Sequence, residues 1–162
     1  MKTVIITGGN GTIASAIHDI LLNDFFVLSP SKRELDITDE IEVRQFMQSY
    51  PPDVLINCAG HIFPQSLVEI STEELKKHFQ VNVFGSVYCA KYAILNGGRI
   101  IISIGSTSAF EGRNTWGAYS ASKAAQRIFM DSWAVEGIEC YSVHPARTNT
   151  KMREKLFPAE DK

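Results

Sequence analysis

The sequence Val-Ile-Ile-Thr-Gly-Gly-Asn-Gly-Thr-Ile-Ala occupies residues 4–14 and carries the clearest structural signal in the chain. Its apolar, β-branched start is typical of a buried strand, and the glycines that follow permit a tight turn. Apolar residues then recur every three or four positions, as on one face of a helix: Ile13, Ala16, Ile17, Ile20 and Leu21. A strand–turn–helix unit of this kind presents backbone amides at a helix N-terminus, where a phosphate can bind. No Lys-Ser or Lys-Thr pair follows the glycines, which excludes a P-loop.

The rest of the chain repeats this alternation of strands and helices. Further apolar strand segments are predicted at 25–28, 54–56, 99–104 and 138–143. Helices are predicted after Thr38, after Ser71 and over residues 117–135, with Thr38 as an N-cap and Ser71–Glu74 as a capping box. We therefore expect one Rossmann-like, doubly wound α/β domain over residues 1–162, with a parallel sheet covered on both faces. Ligands of such sheets bind beyond the carboxyl ends of the strands.

The composition is that of an ordinary globular protein. The 162 residues are 44% apolar and 21% charged, and the net charge of −2 gives no reason to expect nucleic acid or a membrane as partner. Three cysteines without a C-x-x-C pair argue against a disulfide framework or a zinc site, so we expect no metal. The sequence begins without the apolar stretch of a signal peptide, and no apolar run could span a bilayer. These features predict a cytoplasmic protein.

Tyr119 and Lys123 are candidate catalytic residues because they lie four positions apart on a predicted helix and share a face. A free tyrosine has a pKa of about 10, and an adjacent ammonium group lowers that pKa towards neutrality. Ser106 follows a strand and is placed to hold a substrate oxygen beside the phenol. Residues 120–123 also match the S-x-x-K pattern of acyl-transferring serine enzymes, but no S-D-N or K-T-G partner accompanies them.

Seven motifs, in order, make the chain resemble a short-chain dehydrogenase/reductase over nearly its whole length. They are Thr7-Gly8 with Gly11, Asp36-Ile37, Asn57-Cys58-Ala59-Gly60, Asn82, Gly105-Ser106, Tyr119 with Lys123, and Pro145 with Thr150. The sequence departs from the family pattern at Thr12 and Ala14, where many members have glycine, at Cys58 in place of an asparagine, and at Ala146 in place of a glycine.

The resemblance implies an oxidoreductase that interconverts a carbonyl and a secondary or primary alcohol by hydride transfer with a nicotinamide cofactor. It makes Tyr119 the general acid or base, assisted by Lys123, which lowers the tyrosine pKa and holds the nicotinamide ribose. It also implies that Ser106 binds the reacting oxygen and that Asn82 orders a water molecule linking Lys123 to solvent. The implied cofactor contacts are Gly8, Asn10, Gly11, Thr12, Ile13, Asp36, Ile37, Asn57, Ala59, Gly60, Lys123, Pro145 and Thr150.

The end of the second strand bears on the choice between NAD(H) and NADP(H). An acidic residue there accepts hydrogen bonds from a free ribose 2′-hydroxyl. Residues 28–33 contain no acid, whereas Ser31, Lys32 and Arg33 offer hydroxyl and basic groups to a 2′-phosphate. We therefore expect NADP(H), although these residues also fit a solvated basic loop.

The chain is shorter than the family it resembles. Too few residues separate the second strand from Asp36 for a helix and another strand, so we expect a trimmed sheet edge there. Because the sequence ends at Lys162, we expect a trimmed C-terminal side and a substrate pocket that is open, completed by another subunit, or absent. The resemblance also implies a homodimer or homotetramer that pairs through the helices bearing Asn82 and Tyr119.

Two alternative functions stay open from the sequence. One is a catalytically silent dinucleotide-binding sensor or interaction module, which the short C-terminus favours. The other is a sugar-nucleotide epimerase or dehydratase, which fits the glycine turn but lacks a large C-terminal substrate domain.

Overall fold

In the computed structural model, which describes residues 1–158, five parallel strands form one sheet. The strands are β1 (Thr3–Ile6), β2 (Phe26–Leu28), β3 (Val54–Asn57), β4 (Ile100–Ile104) and β5 (Glu139–Val143). The helices are α1 (Thr12–Leu21), α2 (Glu40–Ser49), α3 (Thr72–Phe79), α4 (Ser86–Leu95), α5 (Gly117–Val135) and α6 (Lys151–Leu156). The order across the sheet is β2-β1-β3-β4-β5, which confirms the predicted α/β fold. The order reverses between β1 and β3, and ligands of such sheets bind at that point.

Alternate residues of the inner strands point to opposite faces of the sheet, and each face has its own core. Ile5, Leu55 and Ile101 are fully buried in one cluster, together with residues of α2, α4 and α5. Val4 and Ile6 belong to a second cluster, which packs against α1. Both faces are covered, which is why the strands are continuous apolar runs rather than alternating ones.

The trimmed edge that the sequence predicted lies at β2. Residues 29–39 connect β2 to α2 without another strand or helix, so β2 pairs only with β1. None of the helices over residues 1–158 is long and apolar enough to cross a membrane.

The predicted N-cap of α2 is wrong by one residue. Asp39, not Thr38, caps this helix, because its carboxylate accepts hydrogen bonds from the backbone N–H groups of Ile41 and Glu42. Thr38 instead donates its hydroxyl to the Asp36 carboxylate at 2.7 Å. A carboxylate at the cap also interacts favourably with the helix dipole, an advantage that a threonine lacks.

Only one of the two hydrogen bonds of the predicted α3 capping box forms. The Ser71 hydroxyl accepts a hydrogen bond from the Glu74 backbone N–H at 3.1 Å. The Glu74 carboxylate does not return to Ser71; it bonds to the His61 ring at 2.9 Å and to Lys77 at 3.4 Å. These partners come from tertiary structure, which the local motif does not specify.

A π-helical turn over Gln80–Gly85 joins α3 to α4, where the sequence predicted one uninterrupted helix. Its wider winding turns Asn82 and Val83 inward, and both are buried. Gly85 is needed at the end of this turn, because a Cβ atom there would lie 2.7 Å from the Ile37 side chain. Turns of this kind occur frequently at functional sites.

Candidate active site

A cavity of about 480 Å³ lies beyond the carboxyl ends of the strands, as the fold predicts. It contains three of the four candidate catalytic side chains, Ser106, Tyr119 and Lys123. Four candidate cofactor contacts also line it besides Lys123: Ile13, Gly60, Pro145 and Thr150. The structure thus brings the glycine turn, the Ser106 loop and the first turns of α5 to one place.

Tyr119 lies in the first turn of α5, against the edge of the Trp116 ring at 5.6 Å between centroids. Burial raises the pKa of the Tyr119 phenol above its usual value, while a hydrogen bond with Ser106 and the charge of Arg113 act to lower it. Net burial wins. The prediction that Lys123 lowers this pKa stays a prediction; the charge that opposes burial here is that of Arg113.

Lys123 is buried, and its ammonium group is bound by the protein. The Nζ atom donates to the Ile104 carbonyl at 2.8 Å and to Gln126 Oε1 at 2.9 Å. Gln126 is fixed in turn, since its amide nitrogen donates to the Ser86 hydroxyl at 2.8 Å. Burial lowers the pKa of Lys123 to about 8, and the neighbouring Cys58 acts in the opposite direction.

Ser106 lies just after β4, where its hydroxyl accepts a hydrogen bond from the Ser108 backbone N–H at 3.1 Å. This bond makes Ser106 the cap of a short 3₁₀ turn over Thr107–Ala109. The Ser106 backbone also contacts the His144 ring, with its nitrogen and its carbonyl oxygen 3.2 and 3.0 Å from Nδ1. The loop that carries the hydroxyl is thereby tied to the end of β5.

Asn82 is fully buried and bonds to two other segments. Its Oδ1 accepts from the His61 backbone N–H at 2.8 Å, and its Nδ2 donates to the His61 carbonyl at 2.8 Å and to Ser122 at 2.9 Å. Asn82 and Lys123 meet at Gly60, where a Cβ atom would lie 3.6 Å from Asn82 Oδ1 and 3.9 Å from Lys123 Nζ. Asn82 therefore holds the segment after β3 against α5, beside the buried ammonium group.

The glycine turn is packed closely against the end of β3. Gly8 has a φ of +73°, and a Cβ atom there would lie 2.8 Å from the Ala59 Cα atom, so only glycine fits. The Thr7 hydroxyl accepts from the backbone N–H of Cys58 and of Ala59, at 3.2 and 3.1 Å. Beyond Gly8 the turn opens outward, with Asn10 and Gly11 exposed and Gly11 at the N-cap of α1.

Two predicted cofactor contacts lie in the protein interior, away from the lining of the cavity. Asn57 is 1% exposed, and its Nδ2 donates to the Ser86 carbonyl at 3.1 Å, which joins β3 to α4. Ile37 is buried in the core against Gly85. The Asp-hydrophobic pair therefore separates, because Asp36 stays partly exposed at the surface.

Two carboxylates lie against the basic loop that follows β2. The Glu34 carboxylate accepts from the Ser31 backbone N–H at 2.8 Å, and this bond lowers the pKa of Glu34. Lys32 pairs with the Asp36 carboxylate at 3.4 Å while its side chain stays 77% exposed. Glu34 and Asp36, which follow residues 28–33 in sequence, therefore both contact this loop.

Residues that follow Thr150 line one side of the cavity, and the expectations of an open pocket or of one completed by another subunit stay predictions. Met152, Arg153, Leu156 and Phe157 all line the cavity. The Phe157 ring lies 6.0 Å from the Trp116 ring, and the Lys151 backbone N–H donates to the Thr12 hydroxyl at 3.2 Å. The sequence did not single out Met152, Leu156 and Phe157, because α6 is too short to carry a periodic signal.

One further cluster joins His61, Glu74 and His78, whose potential ligand atoms lie within 4.8 Å of one another. Both nitrogen atoms of His78 are already bonded to backbone, to the Glu74 carbonyl at 2.7 Å and to the Phe63 N–H at 3.1 Å. The His61 Nε2 atom is bonded to the Glu74 carboxylate. We assign the cluster to the packing of the segment after β3 against α3.

Known proteins resemble this chain in sequence and in fold. Residues 31–161 match the family model of the short chain dehydrogenases. A 2,3-dihydro-2,3-dihydroxybenzoate dehydrogenase of Bacillus subtilis (strain 168) is 32% identical over 137 residues, which are 80% of this chain and 52% of the relative. An NADP-dependent (R)-specific alcohol dehydrogenase of Lentilactobacillus kefiri is 26% identical. That match covers 99% of this chain and 78% of the relative. The chain spans about half the length of several curated relatives that it matches.

Among solved structures, ElxO with NADP bound superimposes with a TM-score of 0.85 at 26% identity. The match covers 98% of this chain and 79% of ElxO. These values show the same fold in the two proteins.

Proposed function

The chain belongs to the short-chain dehydrogenase family, and we propose that it is an NADP(H)-dependent oxidoreductase that interconverts a carbonyl and a secondary or primary alcohol. The observation that carries this proposal is the convergence of Ser106, Tyr119 and Lys123 on one cavity at the carboxyl ends of the strands. The relatives are named as dehydrogenases or reductases of different substrates, a dihydroxybenzoate derivative, an alcohol and diacetyl among them, so they agree on the reaction class alone.

The residues present fit a nicotinamide dinucleotide. The cavity of about 480 Å³ falls within the range of small-molecule sites and begins at Ile13, directly after the glycine turn. The amides of the turn and of the α1 N-terminus would hold the diphosphate, and Lys123 would hold the nicotinamide ribose. When bound, the nicotinamide supplies or accepts the hydride.

NADP(H) rather than NAD(H) is supported by relatives and by the basic loop after β2. The alcohol dehydrogenase of Lentilactobacillus kefiri is named as NADP-dependent, and the ElxO structure holds NADP. In this chain Ser31 and the exposed Lys32 would hold the 2′-phosphate, in competition with the present partner of Lys32, Asp36.

The side chains of the cavity can supply the proton that carbonyl reduction requires. In reduction, the substrate carbon gains a hydride and the carbonyl oxygen gains a proton from the Tyr119 hydroxyl, which leaves a phenolate. The raised pKa of Tyr119 keeps the phenol protonated at neutral pH, the form that reduction needs. The Ser106 hydroxyl donates a hydrogen bond to the same oxygen, and the phenolate recovers its proton from solvent. Whether a water ordered by Asn82 carries that proton stays a prediction.

The proposal is tested by mixing the protein with NADPH or NADH and a panel of aldehydes and ketones, and following cofactor oxidation at 340 nm. We expect turnover of at least one carbonyl compound, faster with NADPH. Tight cofactor binding without turnover of any compound would favour the sensor alternative. A chain that binds neither cofactor would contradict both.

A further inference from the structure

One wall of the cavity is both aromatic and basic. Trp116 and Phe157 form its centre, with ring centroids 6.0 Å apart. The Arg113 guanidinium lies 5.6 Å from the Trp116 ring, and the Arg153 guanidinium lies 4.8 Å from the Phe157 ring. Each end of the aromatic wall therefore carries a cation stacked on it.

The cavity has no acidic residue among its lining side chains in the described part of the chain. Its charged members are Arg113, Lys123, Arg147 and Arg153, all cationic. A concave site lined by one sign of charge attracts ligands of the opposite sign. One of these cations, Lys123, is already bound to Ile104 and Gln126 and belongs to the catalytic group.

Arg113 is held in place by hydrogen bonds through one nitrogen atom, Nη2. Its Nη2 atom donates to the Thr107 hydroxyl at 3.0 Å and to the Glu111 carboxylate at 2.9 Å. The guanidinium group has five N–H donors in a planar fork, so bonds through one nitrogen leave donors for a carboxylate. Arg113 also lies close enough to the reacting phenol for its charge to act on the pKa of Tyr119.

Resting on the proposed function, we propose that the substrate is a planar carbonyl compound, or the corresponding alcohol, that carries a carboxylate group. The Trp116 and Phe157 rings bind its flat part, and Arg113 binds the carboxylate. Arg113 is thus a specificity-determining residue. The proton donor Tyr119 lies edge-on to Trp116, so a compound on this wall has its carbonyl group within the same cavity as the phenol.

The test compares benzoate with benzamide, which have the same ring and differ in charge. Binding is followed by the fluorescence of Trp116 in a Trp133→Phe background, since the chain contains two tryptophans. We expect benzoate to bind about ten-fold more tightly than benzamide, with the advantage shrinking as salt is added. Arg113→Gln should reduce that ratio at least three-fold, Arg113→Lys should retain part of it, and the exposed Arg44→Gln should leave it unchanged.

Equal binding of the two probes would overturn the proposal, as would a benzoate preference that persists in Arg113→Gln. The readout is independent of turnover. A protein that reduces neutral ketones yet shows no benzoate preference would refute the substrate class and leave the oxidoreductase standing. A protein that prefers benzoate yet never oxidises NADPH would refute the oxidoreductase.

Discussion

At the scale of the residue, spacing in sequence predicts proximity but not protonation. The interval between Tyr119 and Lys123 places both on one face of α5, and both reach the same cavity. Their pKa values depend on burial and on partners from other elements. Lys123 bonds to the Ile104 carbonyl of β4, and the charge that opposes burial at Tyr119 comes from Arg113. No pattern within α5 carries that information.

The buried Lys123 makes stability depend on pH. Burial lowers its pKa to about 8 from 10.5 in the unfolded chain, so between these values the unfolded state binds more protons and stability rises with pH. We expect the free energy of unfolding to rise by about 1 kcal/mol per pH unit in this window through Lys123 alone. Urea unfolding at several pH values should show this slope as the difference between the wild type and Lys123→Met.

Two features make the difference informative. Burial raises the pKa of Cys89 to about 12, which lowers stability over part of the same window in both proteins and cancels in the comparison. Cys58 interacts with Lys123 and does not cancel, so the slope is read between pH 8 and 9, below the ordinary thiol pKa of 9.0. Substitution of the exposed Lys76 by Met is the matched control and should leave the slope unchanged. Parallel pH profiles for the wild type and Lys123→Met would contradict the buried cation.

Lys32 is the residue on which the cofactor preference depends. If it holds the 2′-phosphate, Lys32→Ala should lower the ratio of kcat/KM for NADPH over NADH by about ten-fold, since one charge-assisted contact is lost. The expected change lies in the NADPH value, with NADH turnover nearly constant. Lys91→Ala, which removes an exposed lysine from α4, is the control. An unchanged ratio in Lys32→Ala would sink this assignment.

At the scale of the element, the sequence predicted strands and long helices well and irregular turns poorly. The bounds of α5 agree with the prediction because its apolar period is long and its end is marked by Gly137. The π-helical turn over Gln80–Gly85 was missed, since a single extra residue in a turn hardly disturbs the apolar period. The reason for the turn is tertiary: it directs Asn82 towards His61 and Ser122.

Asn82 should therefore be critical for stability. Asn82→Asp keeps the size of the side chain but removes both amide donors and places a carboxylate against the His61 carbonyl. We expect a loss of about 3 kcal/mol in the free energy of unfolding, because the His61 carbonyl and the Ser122 hydroxyl lose their amide donor and the carbonyl faces a negative charge instead. Asn23→Asp, at an exposed position after α1, should change stability little. Equal stabilities of the two variants in urea unfolding would refute the role given to this turn.

At the scale of the whole molecule, the segment that follows the last family motif lines one side of the cavity. The seven motifs end at Thr150, and α6 follows with too few residues for a periodic pattern, yet its side chains complete the aromatic wall. The topology, by contrast, followed from sequence, because parallel crossovers permit few arrangements of alternating strands and helices.

The exposed side of α5 carries the prediction of self-association. Ile128 and Phe129 are 52% and 41% exposed there and lie beside Ala124 and Ala125 in an apolar depression. We expect light scattering after size exclusion to give a multiple of the 18.0 kDa chain mass. Ile128→Glu should shift the protein towards monomer, whereas Ile20→Glu on the exposed face of α1 should not. A wild-type monomer at high concentration would refute the association.

The most direct measurement is the rate of carbonyl reduction by Tyr119→Phe at saturating NADPH, with the exposed Tyr141→Phe as its control. If the buried phenol donates the proton, its loss should lower kcat by about 10²–10⁴-fold while NADPH binds as before. Tyr141→Phe should keep the wild-type rate. A Tyr119→Phe protein that reduces the same substrate within a few-fold of the wild-type kcat would contradict the account.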